Sequence, residues 1–96
     1  MDDIDDMIQT VVTSQWEATQ RGVMSMWTIY DRPEDWPDGY IARRYETSEG
    51  ETVLTDNKLA AGPEALTLMR FVFQEAGLRF APRNPNDRPE VVEVWM

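Results

Sequence analysis

The sequence predicts an α+β fold: a small antiparallel sheet of three to four strands, in strand-strand-helix-strand order, with one helix packed on a face and an optional N-terminal helix. Three observations predict it. Residues 23–31 and 40–47 are rich in aromatic and β-branched side chains and are separated by a turn-forming segment. Leu66, Met69, Phe73 and Ala76 recur at helical spacing and make the clearest helix of the chain. At 96 residues and 42% hydrophobic, the chain has material for one core and no second domain.

Residues 1–22 hold five acids and one base, a net of −4, and the other 74 residues carry the remaining −5 of the total −9. In this acidic extension Ile4, Met7, Ile8, Val11 and Val12 repeat at spacings of three and four, and the leading aspartates suit a helix N-terminus. Thr10, Val11, Val12, Thr13 and Thr19 form helix poorly, so a helix over 1–22 needs a surface to dock on. Residues 23–96 read as the single α+β domain.

Val23 to Asp31 reads as the first strand. The following residues 32–39 hold two prolines and a glycine and break it. Tyr40 to Thr47 resumes alternation, with Ile41, Arg43 and Tyr45 on one face and Tyr40, Ala42, Arg44 and Glu46 on the other. Residues 48–51 form a second turn, and Thr52 to Thr55 adds a short third strand. Gly62-Pro63-Glu64 opens the clearest helix, with Pro63 at a first helical position and Gly77 past its end. Leu78 to Ala81 reads as a brief strand, residues 82–89 as a loop, and Val91 to Trp95 as the closing strand.

Composition removes many chemistries. Without histidine or cysteine there is no disulfide, thiol catalysis, Cys/His zinc site or His-based triad. With 18 acids against nine bases, the chain is not expected to bind nucleic acid or an anionic membrane directly; basic protein surfaces are its electrostatic partners. No apolar run reaches bilayer length, and the N-terminus is acidic where a secretory leader is basic, so a cytoplasmic protein is expected.

Trp27-Thr-Ile-Tyr-Asp31, Ala42-Arg-Arg-Tyr45 and the ending Pro82-Arg-x-Pro85-x-Asp87-x-Pro89-Glu-Val-Val-Glu-Val-Trp95 resemble a group of small uncharacterised bacterial and phage-borne proteins. The resemblance spans residues 24–96. It implies fold and lineage and carries no activity with it. Members of that group begin near Met24 or Met26, which makes residues 1–22 an extension.

Each candidate site in the sequence has a plainer account beside it. Asp31, Glu34, Asp35 and Asp38 crowd one loop, but they lack the alternation of a calcium loop, and the twelfth position from Asp31 is Ala42 rather than a bidentate Glu. Capping of a solvated turn explains them better. Glu90 with Glu93, or Asp35 with Asp38, are nominal acid–base pairs for glycoside hydrolysis in a domain with little room for a sugar cleft. Arg79, Arg83 and Arg88 bracket the Pro-rich loop and would grip an anion if they converged; pairing with neighbouring acids is the more economical expectation. Arg43 and Arg44, adjacent on a strand, cannot line one site. Lys58, the only lysine, reads as part of an exposed turn. Trp36, between Asp35 and Pro37, is either an exposed binding anchor or a lid folded over the hairpin.

No catalytic residue, cofactor or metal site is assigned. The expectation is a protein–protein interaction module that offers Glu34, Asp35, Trp36 and Asp38 to a basic partner, or self-associates through its N-terminal segment and a sheet edge. A nucleic-acid mimic directed at a basic nucleic-acid-processing protein is the second reading, and a small anion-binding enzyme at Arg79, Arg83 and Arg88 the third.

Overall fold

The computed structural model describes residues 3–60 and 62–96; Met1, Asp2 and Ala61 lie outside them. The elements run α1 (Asp3–Gln20), β1 (Met24–Asp31), β2 (Tyr40–Ser48), β3 (Glu51–Ala60), α2 (Leu66–Glu75), β4 (Phe80–Pro82) and β5 (Val91–Trp95). The strands form one sheet in the order β3-β2-β1-β5-β4, each neighbouring pair antiparallel. The α+β class and the packed helix are as expected, with five strands instead of three to four.

Two strands account for the difference. The third runs from Glu51 to Ala60 rather than stopping at Thr55. Its second half, Asp56-Asn57-Lys58, looks like a turn because β3 is an edge strand that keeps polar side chains in water. The turn before it is a two-residue loop in which Glu49 and Gly50 both have positive φ, +52° and +83°, the requirement of a type I′ hairpin. The brief strand after α2 becomes a full member of the sheet, Phe80 pairing with Trp95 and Pro82 with Glu93.

Both helices end in the same way. Gly77 (φ +87°) follows Ala76, the Leu78 amide donates to the Phe73 carbonyl at 3.0 Å, and the Gly77 amide donates to Gln74 at 3.0 Å. Gly22 (φ +73°) repeats the pattern for α1, with the Val23 amide donating to Ala18 and the Gly22 amide to Thr19, each at 3.0 Å. These are Schellman motifs, which need a residue free of Cβ strain at the left-handed position. The start of α2 departs from expectation. Helix begins at Leu66, and Pro63 and Glu64 lie in the preceding turn, because the Ala65 amide bonds back to the Gly62 carbonyl at 3.3 Å and no side chain caps the first turn.

α1 and α2 share one core on one face of the sheet. Trp27 and Ile29 of β1, Ala42 of β2, Leu59 of β3 and Trp95 of β5 meet Met69, Val72 and Phe73 of α2 and Val11 of α1. The Phe73 ring lies between the rings of Trp27 (5.6 Å) and Trp95 (5.9 Å). α1 is therefore part of the domain's core; Val11 is fully buried, with Ile4, Met7 and Ile8 packed beside it. Docking supplies the stability that its threonines and valines withhold.

Candidate functional site

The sheet has a second face that no helix covers. Cross-strand register places Met26 opposite Tyr45, Thr28 opposite Arg43 and Tyr30 opposite Ile41 on that side, and Val94 lies opposite Thr28 on β5. Two segments rise at its end: the loop of residues 32–39 after β1, and the Pro-rich loop before β5. Between them lies a groove of about 420 Å³ lined by Tyr30, Tyr45, Arg43, Glu34, Asp35, Arg88 and Glu90, with Pro33 at its edge. An adjoining apolar furrow of about 320 Å³ continues from Tyr30 and Tyr45 along Met26, Thr28, Val91 and Val94 to Asp87.

Each loop is held by its own chemistry. Residues 32–39 are closed by the Arg32 amide donating to the Gly39 carbonyl at 3.0 Å, and Arg32 takes a left-handed φ of +48° to start the turn. The Arg32 guanidinium lies beside the Tyr40 ring and bonds Asp31 at 2.6 Å. In the second loop Arg83 donates to the carbonyls of Asp87 (2.8 Å) and Arg88 (3.2 Å), while the Asp87 carboxylate accepts from the Asn84 amide at 3.0 Å. The two loops are joined through β1, whose Asp31 amide donates to the Glu90 carbonyl at 2.7 Å.

At the floor of the groove the two tyrosine hydroxyls are hydrogen-bonded at 2.6 Å. Arg43 stacks over the Tyr30 ring at 5.4 Å and reaches Asp35 at 2.6 Å. Burial pushes the Tyr30 hydroxyl well above the usual tyrosine range, and the bond to Tyr45 adds to the effect. The Arg43 guanidinium holds the Asp35 carboxyl below the usual carboxylate range. Arg88 lies 3.9 Å from Glu90, a loose pair with its arginine in solvent. Glu34 has no ion pair among the described residues. Counting Asp87 in the furrow, four carboxylates face two guanidinium groups, and Arg43 is already engaged.

The residues picked out in the sequence separate here. Glu34 and Asp35 line the groove; Asp38 is exposed on the same loop but outside the lining. Trp36 is not an exposed anchor. It is half-buried, its indole N–H is shut off from solvent, and its amide donates to the Pro33 carbonyl at 2.9 Å within the loop. The three arginines do not converge: Arg88 is in the groove, Arg83 is spent on its own loop, and Arg79 lines a different groove beside Phe80 and Met96. Arg43 and Arg44 point to opposite faces as their adjacency requires.

Glu90 and Glu93 are likewise divided. Glu93 faces the core, 3% exposed, takes a two-point bond from Arg70 at 2.9 and 3.0 Å and accepts from the Trp95 indole at 3.0 Å. Among the described residues no three Asp or Glu side chains are placed to hold a metal ion.

Two features escape sequence reading. The Tyr30–Tyr45 pair forms only through strand register. On the core side, Arg44 is buried and bonds Ser25 (3.0 Å), Asn57 (2.9 Å) and Glu46 (2.9 Å), while Ser25 bonds Gln15 of α1. The alternation already placed Arg44 and Glu46 with Ala42; that their face is the covered one was not visible.

No protein-family model matches the chain, and no curated protein or solved structure matches it either.

Proposed function

We propose that the protein is an interaction module that receives a basic segment of a partner protein on the open face of its sheet. One observation carries this reading: the uncovered face ends in a tyrosine-floored groove where carboxylates outnumber free cations, continuous with an apolar furrow. Such a site suits an arginine or lysine next to apolar residues. The cation would meet Glu34, Glu90 and the tyrosine rings, and the apolar part Met26, Val91 and Val94. The sheet edges are poorer docking places. β4 is three residues long and ends in Pro82, and β3 carries Asp56, Lys58 and a register irregularity opposite Arg43 to Tyr45.

The other readings gain less. A nucleic-acid mimic needs its carboxylates in a row on one face. Here Asp31, Asp35, Glu46, Glu90 and Glu93 are paired with arginines, and the other carboxylates among the described residues are divided among α1, β3, the end of α2 and the loops and turns between elements. An anion-binding enzyme needs at least two unpaired arginines in one pocket, and no groove described above offers them.

The test is titration of the full chain with an arginine-rich peptide and with a glutamate-rich peptide of equal length, followed by amide NMR. The expected result is saturable shifts confined to β1, β2, residues 34–35 and residues 87–90 for the basic peptide, none for the acidic one. Glu34→Lys with Glu90→Lys should weaken binding about tenfold or more. Shifts spread equally over Asp5, Asp6 and the groove would mean non-specific attraction and end the proposal.

A further inference from the structure

The groove at the end of the open face already holds a cation of the chain's own. Arg43 projects from β2 over the Tyr30 ring, 5.4 Å from its centroid, and its guanidinium reaches the Asp35 carboxylate at 2.6 Å. The 2.6 Å bond between the Tyr30 and Tyr45 hydroxyls ties down the ring on which Arg43 lies. The same three residue types meet once more at the base of the loop, where Arg32 lies beside the Tyr40 ring at 6.0 Å and bonds Asp31 at 2.6 Å. That second set is outside the groove lining. Within the groove, Arg43 shows which group the ring and the carboxylate accept together: a planar guanidinium, stacked and hydrogen-bonded at once.

Arg43 is held there by a bond that water weakens. Its side chain is 19% exposed, but that of Asp35 is 66% exposed. Arg43 also lines an adjoining groove of about 290 Å³, with Leu54, Asp56 and Lys58 of β3. Lys58 stands opposite Arg43 in register, so two neighbouring cations draw on Asp35. Asp56, in the same adjoining groove, has no ion pair among the described residues. Each of the two grooves that Arg43 lines therefore offers it a carboxylate.

We propose that the open-face site selects arginine over lysine and that Arg43 is its specificity-determining residue: a partner's guanidinium takes the place of Arg43 on Tyr30 and Asp35, and Arg43 moves to Asp56. This rests on the reading of the open face as a receiver of basic segments and names the side chain that it receives. The exchange puts one guanidinium where another was, so the ring and Asp35 keep their contacts. The partner's arginine gains over Arg43 through Glu34, which has no ion pair among the described residues, and through Glu90, held only loosely by Arg88 at 3.9 Å. Lysine makes the poorer exchange. Its ammonium is more strongly hydrated and cannot lie flat on the ring while gripping a carboxylate with a fork.

The test is NMR of backbone amides and arginine side chains on the full chain, with arginine-rich and lysine-rich peptides of equal length and charge. The arginine peptide is expected to bind about fivefold more tightly and to move the Arg43 Nε–H signal. Arg43→Lys keeps the charge but gives up the stack, and should tighten the arginine peptide about threefold. Arg43→Gln removes the charge as well and should tighten it about tenfold, and the lysine peptide less. Circular dichroism and the melting temperature report whether the variants are folded; if either is not, the wild-type ratio and the Arg43 signal decide alone. Equal affinity for the two peptides overturns the inference. So does an Arg43 signal unmoved at saturation, or a folded variant that tightens both peptides alike or weakens the arginine peptide. In each of those cases saturable shifts in the groove leave the open-face reading standing, whereas no groove shift with either peptide ends both.

Discussion

At the residue scale, the arginines decide what the acids can do. Glu46 is the clearest case. Arg21 bonds it through both oxygens, at 3.0 and 2.5 Å, and Arg44 approaches at 2.9 Å. The hydrogen bond from Arg21, followed by that from Arg44, lowers its carboxyl from 4.5 to about 2 against the opposing cost of burial. A folded-state value below the unfolded one means the stabilisation is whole above the ordinary carboxylate range. It fades as pH falls from about 4.5 toward 2. Acid unfolding followed by circular dichroism should therefore steepen in that window, and Glu46→Gln should flatten this part of the curve while lowering stability at neutral pH. An unchanged slope in the variant would show that the pair is not maintained in solution. Arg21 is half in solvent, so the effect is modest and shrinks with salt.

At the element scale, α1 matters most, because its standing changes between sequence and structure. As an isolated segment it is a marginal helix; in the fold it places Val11 in the main core and Gln15 on Ser25 of β1. A chain beginning at Met24 would uncover Trp27 and Met69 and is expected to lose cooperative thermal unfolding. In the full chain, Val11→Ala should cost about 2 kcal/mol, read from chemical denaturation, whereas Val12→Ala on the exposed side of the same helix should cost a few tenths. Equal effects would mean that α1 is not seated as described.

On the scale of the whole molecule, one layer of two helices on a five-stranded sheet leaves the stability concentrated around Phe73, between two tryptophans. Phe73→Ala is expected to cost about 3–5 kcal/mol, a large share of what a domain of this size has, and to unfold much of the population near body temperature. The same one-sided layering creates the surface proposed for docking. The open face exists because all helical cover is on the other side. An antiparallel sheet tolerates a face without helical cover when its side chains are mixed, and here Thr28 and Ile41 are buried while Tyr30, Arg43 and Tyr45 are half-buried.

Much of this fold was legible in the residues. Alternation located β1, β2 and β5, since a strand with one buried face must repeat every second residue. The stripe from Leu66 to Ala76 located α2, and Gly77 its end. The far half of β3 was not legible, because an edge strand bears little packing and its Asp56-Asn57-Lys58 has a turn's composition. The start of α2 was misplaced by Pro63, a residue that suits a turn as well as a first helical position. Of the candidate site, Glu34 and Asp35 were marked by their loop and Arg88 by its neighbours. Tyr30 and Tyr45 were not, being fifteen positions apart and joined only by register.

What the order of amino acids settled is local: where strands and helices run, where they stop, and that a chain without imidazole or thiol has few reactive groups. Periodicity and turn chemistry act over a few residues, so a single chain displays them directly. Which face of each strand turns inward was decided only when the helices chose a side. That choice depends on contacts between residues tens of positions apart, such as Val11 with the Trp27 cluster and Glu93 with Arg70. It buried Arg44, left Arg43 half-buried in the tyrosine-floored groove and shut the Trp36 indole N–H off from solvent.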